Sequence, residues 1–258
     1  MSENDPNENY KTAKNLTTRG DFVGRYATRD WFSFIADQSG DLDGQILDVG
    51  CGVGWFWARM ASRWQPDKLT LLDQSEGMLA TISKKIDGLY TFETVQGDAV
   101  TLPFYDNQFD ALVAMHMLYH VADIPQAIEE MRRVLKPGGR LIVTTVGDGD
   151  LGPLSELSCQ IFGSAGSHIV EGAFGTAKAD SYLRAAFPNV QHHAFLDEYQ
   201  VDDAEAALTY IKSFPPGISA QDDQLEAFQA AVQDGINQGG GTLNMDRKQS
   251  VFVATKDT

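Results

Sequence analysis

Between Gln45 and Val146, short apolar runs alternate with amphipathic stretches, and this alternation limits the fold more than any other feature of the chain. Gln45–Val49, Lys68–Asp73, Phe92–Gln96, Phe109–Met115 and Arg140–Val146 read as buried strands. Trp55–Trp64, Glu76–Ile86 (closed by Gly88) and Ile124–Leu135 (stopped by Pro137-Gly138-Gly139) read as helices. Strands separated by helices of about ten residues or more need a parallel sheet with right-handed crossovers. The expected fold is therefore an α/β doubly wound sheet. Ahead of it, Phe22, Tyr26, Trp31, Phe34 and Ile35 recur at helical spacing between Thr18 and Gln38, which predicts an N-terminal helical cap. Beyond Gly147 the pattern loosens into Gly, Ser and Asp, with one apolar helix-like stretch at Leu151–Phe162. Ser181–Phe187, Ala204–Phe214 and Gln224–Ile236 then read as helices, and Val190–Gln200 and Ser250–Lys256 as strands.

The strand Ile46–Val49 runs into a turn, DVGCGVG, with Gly50, Gly52 and Gly54 at alternate positions around Cys51. Such glycines allow positive φ and let backbone approach a ligand closely, while the next helix aims free N–H groups and its positive dipole end at the same place. A nicotinamide fingerprint would put its third glycine at residue 55, which is Trp55, and no Gly-Lys-Ser/Thr follows for a phosphate loop. Asp48 would repel a pyrophosphate and suits an ammonium or sulfonium. Asp73, closing the second strand, is placed to take both hydroxyls of an unphosphorylated ribose. Asp98, after the third strand, is placed to accept from an exocyclic amine. Three acids with no base among them describe a cationic or neutral nucleoside.

The runs LDVGCGVG, LTLLDQSEGML, QGDAVTLPFYDNQFDALVA and MRRVLKPGGRLIVTT, in that order over about residues 44–146, resemble the successive motifs of the class I S-adenosylmethionine-dependent methyltransferases, in the UbiE-like or methyltransferase 11 branch. The resemblance implies a seven-stranded sheet whose last strand is antiparallel, a place that SVFVATK fits. It implies S-adenosyl-L-methionine as cofactor and S-adenosyl-L-homocysteine as product, with no metal. It sets Asp48, Gly50, Cys51, Gly52 and Gly54 beside the methionine part, Asp73 on the ribose, Asp98 on the adenine, Gln74 and Met78 alongside that ring, and the Ala99 N–H toward it. On this reading 1–15 is a flexible arm and 16–258 a single domain, with a donor-binding half at 44–146, an inserted lid or substrate region at 147–178 and a C-terminal half at 179–258.

Methyl transfer from a sulfonium is an in-line displacement that needs alignment and a dry site, and a base only if the acceptor must lose a proton. The segment AMHMLYHV after the fourth strand offers Met115 beneath the donor and His116 or His120 as base, with Tyr119 as wall. Arg25 is a candidate for the donor carboxylate, and Tyr26 covers the pocket and stands next in line as base. His192 and His193 are adjacent in a strand and point to opposite faces, so they form no metal pair.

The net charge of −16, from 36 acidic and 20 basic residues, disfavours nucleic acid and anionic membrane. The basic pairs Lys84-Lys85 and Arg132-Arg133 fit solvated helix faces. Two distant cysteines, Cys51 and Cys159, give neither a disulfide framework nor a zinc site. The polar N-terminus carries no signal-peptide pattern and no run is long enough to span a membrane, which predicts a cytoplasmic protein. The expected activity is N- or O-methylation of a small-molecule acceptor. A tRNA, rRNA or protein acceptor is the first alternative and a non-catalytic donor-binding regulator the second. The oligomeric state is left open.

Overall fold

The computed structural model describes residues 14–163 and 173–258. Seven strands, β1 (Gln45–Val49), β2 (Lys68–Asp73), β3 (Phe92–Gln96), β4 (Phe109–Met115), β5 (Leu135–Val146), β6 (Asn189–Val201) and β7 (Leu243–Thr255), form one sheet in the order β3-β2-β1-β4-β5-β7-β6. All pairs from β3 to β5 are parallel, and β7 runs antiparallel to both β5 and β6. This is the doubly wound arrangement that the alternation predicts. Its order reverses at β1, whose neighbours are β2 and β4, so the crevice for a ligand opens at the carboxyl ends of β1 and β4.

Nine helices follow the chain among the described residues: α1 (Lys14–Tyr26), α2 (Trp31–Ser39), α3 (Trp55–Met60), α4 (Glu76–Ile86), α5 (Ile124–Val134), α6 (Gly152–Phe162), α7 (Thr176–Ala186), α8 (Ala204–Ile211) and α9 (Asp222–Gln238). One face of the sheet is covered by α5 and α7, through Ile128, Met131 and Leu183. The other is covered by α2, α3 and α4, through Ile35, Trp57 and Ile82. Central strands enclosed on both faces are why β1 is buried without a break from Ile46 to Val49 instead of alternating. A third cluster joins α1, α6, α8 and α9 over Tyr199, Val201 and Met245 of β6 and β7.

The register explains that third layer. Val146, the last residue of β5, pairs with Gln249, and the β6–β7 ladder continues for six more pairs to Val201 and Leu243. This ribbon overhangs the carboxyl edge of the sheet by roughly 20 Å, and the four helices cap it.

The boundaries differ from the sequence reading for local reasons. The helical pattern from Thr18 to Gln38 is broken in two, because the Asp30 carboxylate caps α2 by accepting from Phe32 N and Ser33 N. Lys14 and Asn15, read as arm, open α1, while the rest of that arm lies outside the described residues. Helix α3 stops at Met60, short of Trp64. Leu135 is the first residue of β5 instead of the last of a helix, with a register shift between Phe109 and Ala111. The run SVFVATK is only the apolar end of β7, whose polar first half no hydrophobicity pattern marks. Helix α7 begins five residues before Ser181, and α9 is lengthened by a reciprocal Gln221–Gln224 capping box. Of the stretch 147–178, residues 164–172 lie outside the described residues; the part at α6 buries Leu154 and Ser158 against the cap.

Candidate functional site

The glycine turn sits at the carboxyl end of β1. Gly50 N and Cys51 N donate to Leu72 O at 2.7 and 3.1 Å, which ties the turn to β2. All three glycines have positive φ, yet their surroundings differ. A Cβ on Gly54 would drive into Ile82 of α4, and one on Gly50 would lie 2.8 Å from the Met117 side chain. At Gly52 it would meet, among the described residues, only Leu16 of α1, at an ordinary 3.6 Å. Gly54 and Gly50 therefore serve close packing of neighbouring elements, and Gly52 is the position whose backbone is open above.

Two carboxylates flank that opening. Asp48 is buried and accepts from Trp57 Nε1 at 2.7 Å. Burial pushes its carboxyl up to about 7, against the pull of the Trp57 hydrogen bond and with help from the Asp73 charge. Asp73 accepts from Gly52 N at 2.9 Å and Ser75 N at 2.8 Å, and burial raises it despite those bonds. Ser75 caps α4 by accepting from Met78 N, and Met78 is buried beneath. Cys51 is a buried thiol held well above its usual range by burial and by the two acids. Gln74 is exposed, and its carbonyl accepts from Gln96 Nε2. Asp98 is exposed and accepts from Val100 N at 3.1 Å, with Ala99 buried next to it. The structure thus hydrogen-bonds Asp73 to the turn, sets Asp48 near enough to feel the Asp73 charge, and places Asp98 and Ala99 at the end of β3 beside β2.

Met115, the last residue of β4, packs against the second core cluster. His116 follows with φ +50, a left-handed backbone costing about 1–3 kcal/mol in a non-glycine residue. It is held there by N–H donation to the Thr144 carbonyl and hydroxyl. Its ring lies against Trp31, and its buried Nε2 has no hydrogen-bond partner. Burial first, then the Arg247 and His120 charges, push its imidazole down to about 3, so it is neutral at physiological pH. His120 is lowered too, by its surroundings and by Arg19, and stands more exposed. Tyr119 packs its ring on His120.

Arg25 and Tyr26 lie elsewhere in α1. The Arg25 guanidinium pairs with Asp203 at 2.8 Å and Asp202 at 3.5 Å, ahead of α8, instead of with the glycine turn. Tyr26 donates to Asp202 Oδ1, and burial pushes its hydroxyl up to about 12, so it is a donor and a poor base. His192 bonds Ser250 Oγ and stacks on Phe252, while His193 faces the other side of β6.

The sequence reading missed Trp57, which covers Asp48, and a polar group on the overhanging ribbon: Tyr199, Arg247 and Gln249. Arg247 donates to Tyr199 Oη at 2.7 Å, and Gln249 Oε1 is buried without a partner. The available signal was the period of two, because Met245, Arg247, Gln249 and Val251 share one face of β7 and that face is inward.

A doubly wound sheet with an acid-flanked glycine turn at its switch point defines an α/β protein built to hold a ligand there. Residues 47–143 match the family described as a methyltransferase domain. Over 180 residues the chain is 32% identical to the ubiquinone/menaquinone biosynthesis C-methyltransferase UbiE of Escherichia coli, covering 67% of this chain and 70% of that protein. It is 35% identical over 140 residues to UbiE of Paracoccus denitrificans, covering 52% of this chain and 55% of that protein, so it spans about half of that relative's length. In three dimensions it is similar to a putative methyltransferase of Bacillus halodurans, with a TM-score of 0.64 and 17% identity over 88% of this chain and 99% of that one. The chain belongs to the class I S-adenosylmethionine-dependent methyltransferases, in their UbiE-like branch.

Proposed function

We propose that the chain transfers a methyl group from S-adenosyl-L-methionine to a small-molecule acceptor. The single observation that carries this is the pair of acids, buried Asp48 and half-buried Asp73, beside the open backbone at Gly52, with no cation paired to either among the described residues. That donor set fits a cationic nucleoside and repels a phosphorylated one. Asp48 and the turn would hold the methionine part, Asp73 the ribose, and Asp98 with Ala99, Gln74 and Met78 the adenine. The bound donor supplies an electrophilic methyl carbon with a good leaving group.

The chain's own residues then align and dry the acceptor. Trp31, His116 and Tyr119 wall the carboxyl end of β4, and α1 covers the turn. The relatives' C-methyltransferase name widens the N- or O-methylation expected from the sequence to carbon acceptors. A carbon nucleophile beside an oxyanion needs a proton removed, and the neutral His116 imidazole with its free Nε2 is the best placed acceptor for it. With its titration near 3, His116 puts no acidic limb into a rate profile between pH 5 and 8.

Calorimetry with S-adenosyl-L-homocysteine tests the donor site. Asp73→Ala should lose roughly 1.5–3 kcal/mol of binding, the scale for hydrogen bonds to a charged group. Unchanged affinity in that variant would remove the assignment, and NADH should give no heat.

A further inference from the structure

The overhanging ribbon carries a half-buried cation that no carboxylate of the described residues pairs with. Arg247 sits on the inward face of β7, and its one hydrogen bond to a described residue goes to the Tyr199 hydroxyl at 2.7 Å. No carboxylate among the described residues is within ion-pair distance of it. Asp197 lies directly opposite in the register, but its oxygens are taken by Thr28 Oγ1, Thr28 N, Arg29 N and Glu198 N. Asp150 acts on Arg247 only at longer range, and its Oδ1 accepts from Lys248 N at 2.6 Å. A buried ion is ordinarily paired, because solitary burial costs several kcal/mol. Arg247 is moreover an unpaired cation among the described residues of a chain whose net charge is −16.

The surroundings of Arg247 are those of a ligand site. Gln249, one step along the same face, keeps a buried Oε1 without a partner, and His116 keeps a buried Nε2 without one. The Arg247 charge reaches His116, and both Arg247 and Arg19 reach Tyr210. Flat rings pack nearby: Phe22 stacks on Tyr210 at 4.4 Å and tilts against Tyr199 at 6.5 Å, and Trp31 lies against His116. Acids flank the glycine turn, whereas a guanidinium stands on the inward face of β7.

We infer that Arg247 and the Tyr199 hydroxyl receive an oxyanion, carboxylate or phosphate, borne by a flat unsaturated acceptor whose reacting atom then lies toward His116. This inference rests on the methyltransferase reading and narrows its acceptor to anionic molecules. A guanidinium fork matches such an oxyanion in two parallel hydrogen bonds, and the Tyr199 hydroxyl is free to turn its proton to the same group.

The test is ligand-observed NMR on the full chain, titrating benzoate, phenyl phosphate and neutral benzamide, with and without S-adenosyl-L-homocysteine. Binding of S-adenosyl-L-homocysteine is read in the same samples, so failure of the donor reading is separate from failure of this one. Wild-type protein should bind benzoate or phenyl phosphate about tenfold more tightly than benzamide, and which of the two wins names the oxyanion. Arg247→Gln should abolish the preference while Arg247→Lys keeps part of it. Benzamide binding as well as the anions, none of the three binding, or a preference that survives Arg247→Gln would each overturn the proposal. Should Arg247→Gln fail to fold, Tyr199→Phe carries the same comparison. It should cut the preference at least threefold, and an unchanged preference there counts against the site.

Discussion

Asp48 is under two opposing demands. Its carboxylate is sealed beneath the Trp57 indole, which raises its titration to about 7, yet its proposed task is to face a cation as an anion. The raised value means that Asp48 supports the folded state fully below its unfolded range near 4, and that this support is lost as pH rises through 7. A cation beside it favours the ionised form, so binding releases a proton. Affinity for S-adenosyl-L-methionine should therefore fall by up to about tenfold per pH unit below 7. Asp48→Asn should bind more weakly at pH 8 and lose that slope. Calorimetry across pH 5.5–8.5 reads both, and a wild-type affinity flat through 7 would show that Asp48 does not meet the donor's charge. Asp73 differs because two backbone N–H groups, from Gly52 and Ser75, share its burial cost. The same carboxylate thus shapes the turn and is offered to the ligand.

At the scale of elements, α1 is the piece that closes the site. Leu16 lies over Gly52, and Gly20 is set so close to the Trp55 ring that a Cβ would penetrate it. Glycine inside a helix costs about 1 kcal/mol relative to alanine, and here it allows the helix to lie flat on the start of α3. The Arg25 pairs to Asp202 and Asp203 are half exposed and contribute little, so the hold comes mainly from Phe22, stacked on Tyr210 in the third cluster. Gly20→Val should lift α1 from Trp55. The expected result is donor affinity lowered about tenfold, a difference of about 1.4 kcal/mol, with faster amide exchange confined to α1. An unaltered affinity in that variant would make α1 a bystander.

For the whole molecule, the ribbon with its helical cap and the glycine-turn half meet through α1, whose Leu16 lies over Gly52. The interior of β4, β5 and β7 is buried on both faces, whereas α6 rests on the cap through Leu154 at the edge of the third cluster. Exchange should therefore be slowest in those three strands and quicker in Gly152–Phe162. On addition of S-adenosyl-L-homocysteine together with benzoate, α6 should gain protection. Mass-resolved hydrogen exchange showing equal protection of α6 with and without ligands would reduce the stretch to a surface insertion.

The strand-helix alternation, the glycine turn and its acids were legible in the sequence because they depend on neighbours close in the chain. Apolar period, capping residues and backbone freedom are local quantities, and they located β1 to β4 and the residues of the turn. The roles within the turn were not legible, since only packing distinguishes Gly54, pressed on Ile82, from the open Gly52. Nor was the neutrality of His116, which follows from burial against Trp31 and the charge of Arg247 on a strand more than a hundred residues away. The linear chain was enough for the class of fold and for which residues stand at the ends of β1 and β2. Only the tertiary structure decided what stands across from them. The β6–β7 register carries Arg247 and Tyr199 beyond the edge of the sheet and leaves Gln249 at that edge, and a register is set by pairings between segments that the linear chain keeps far apart.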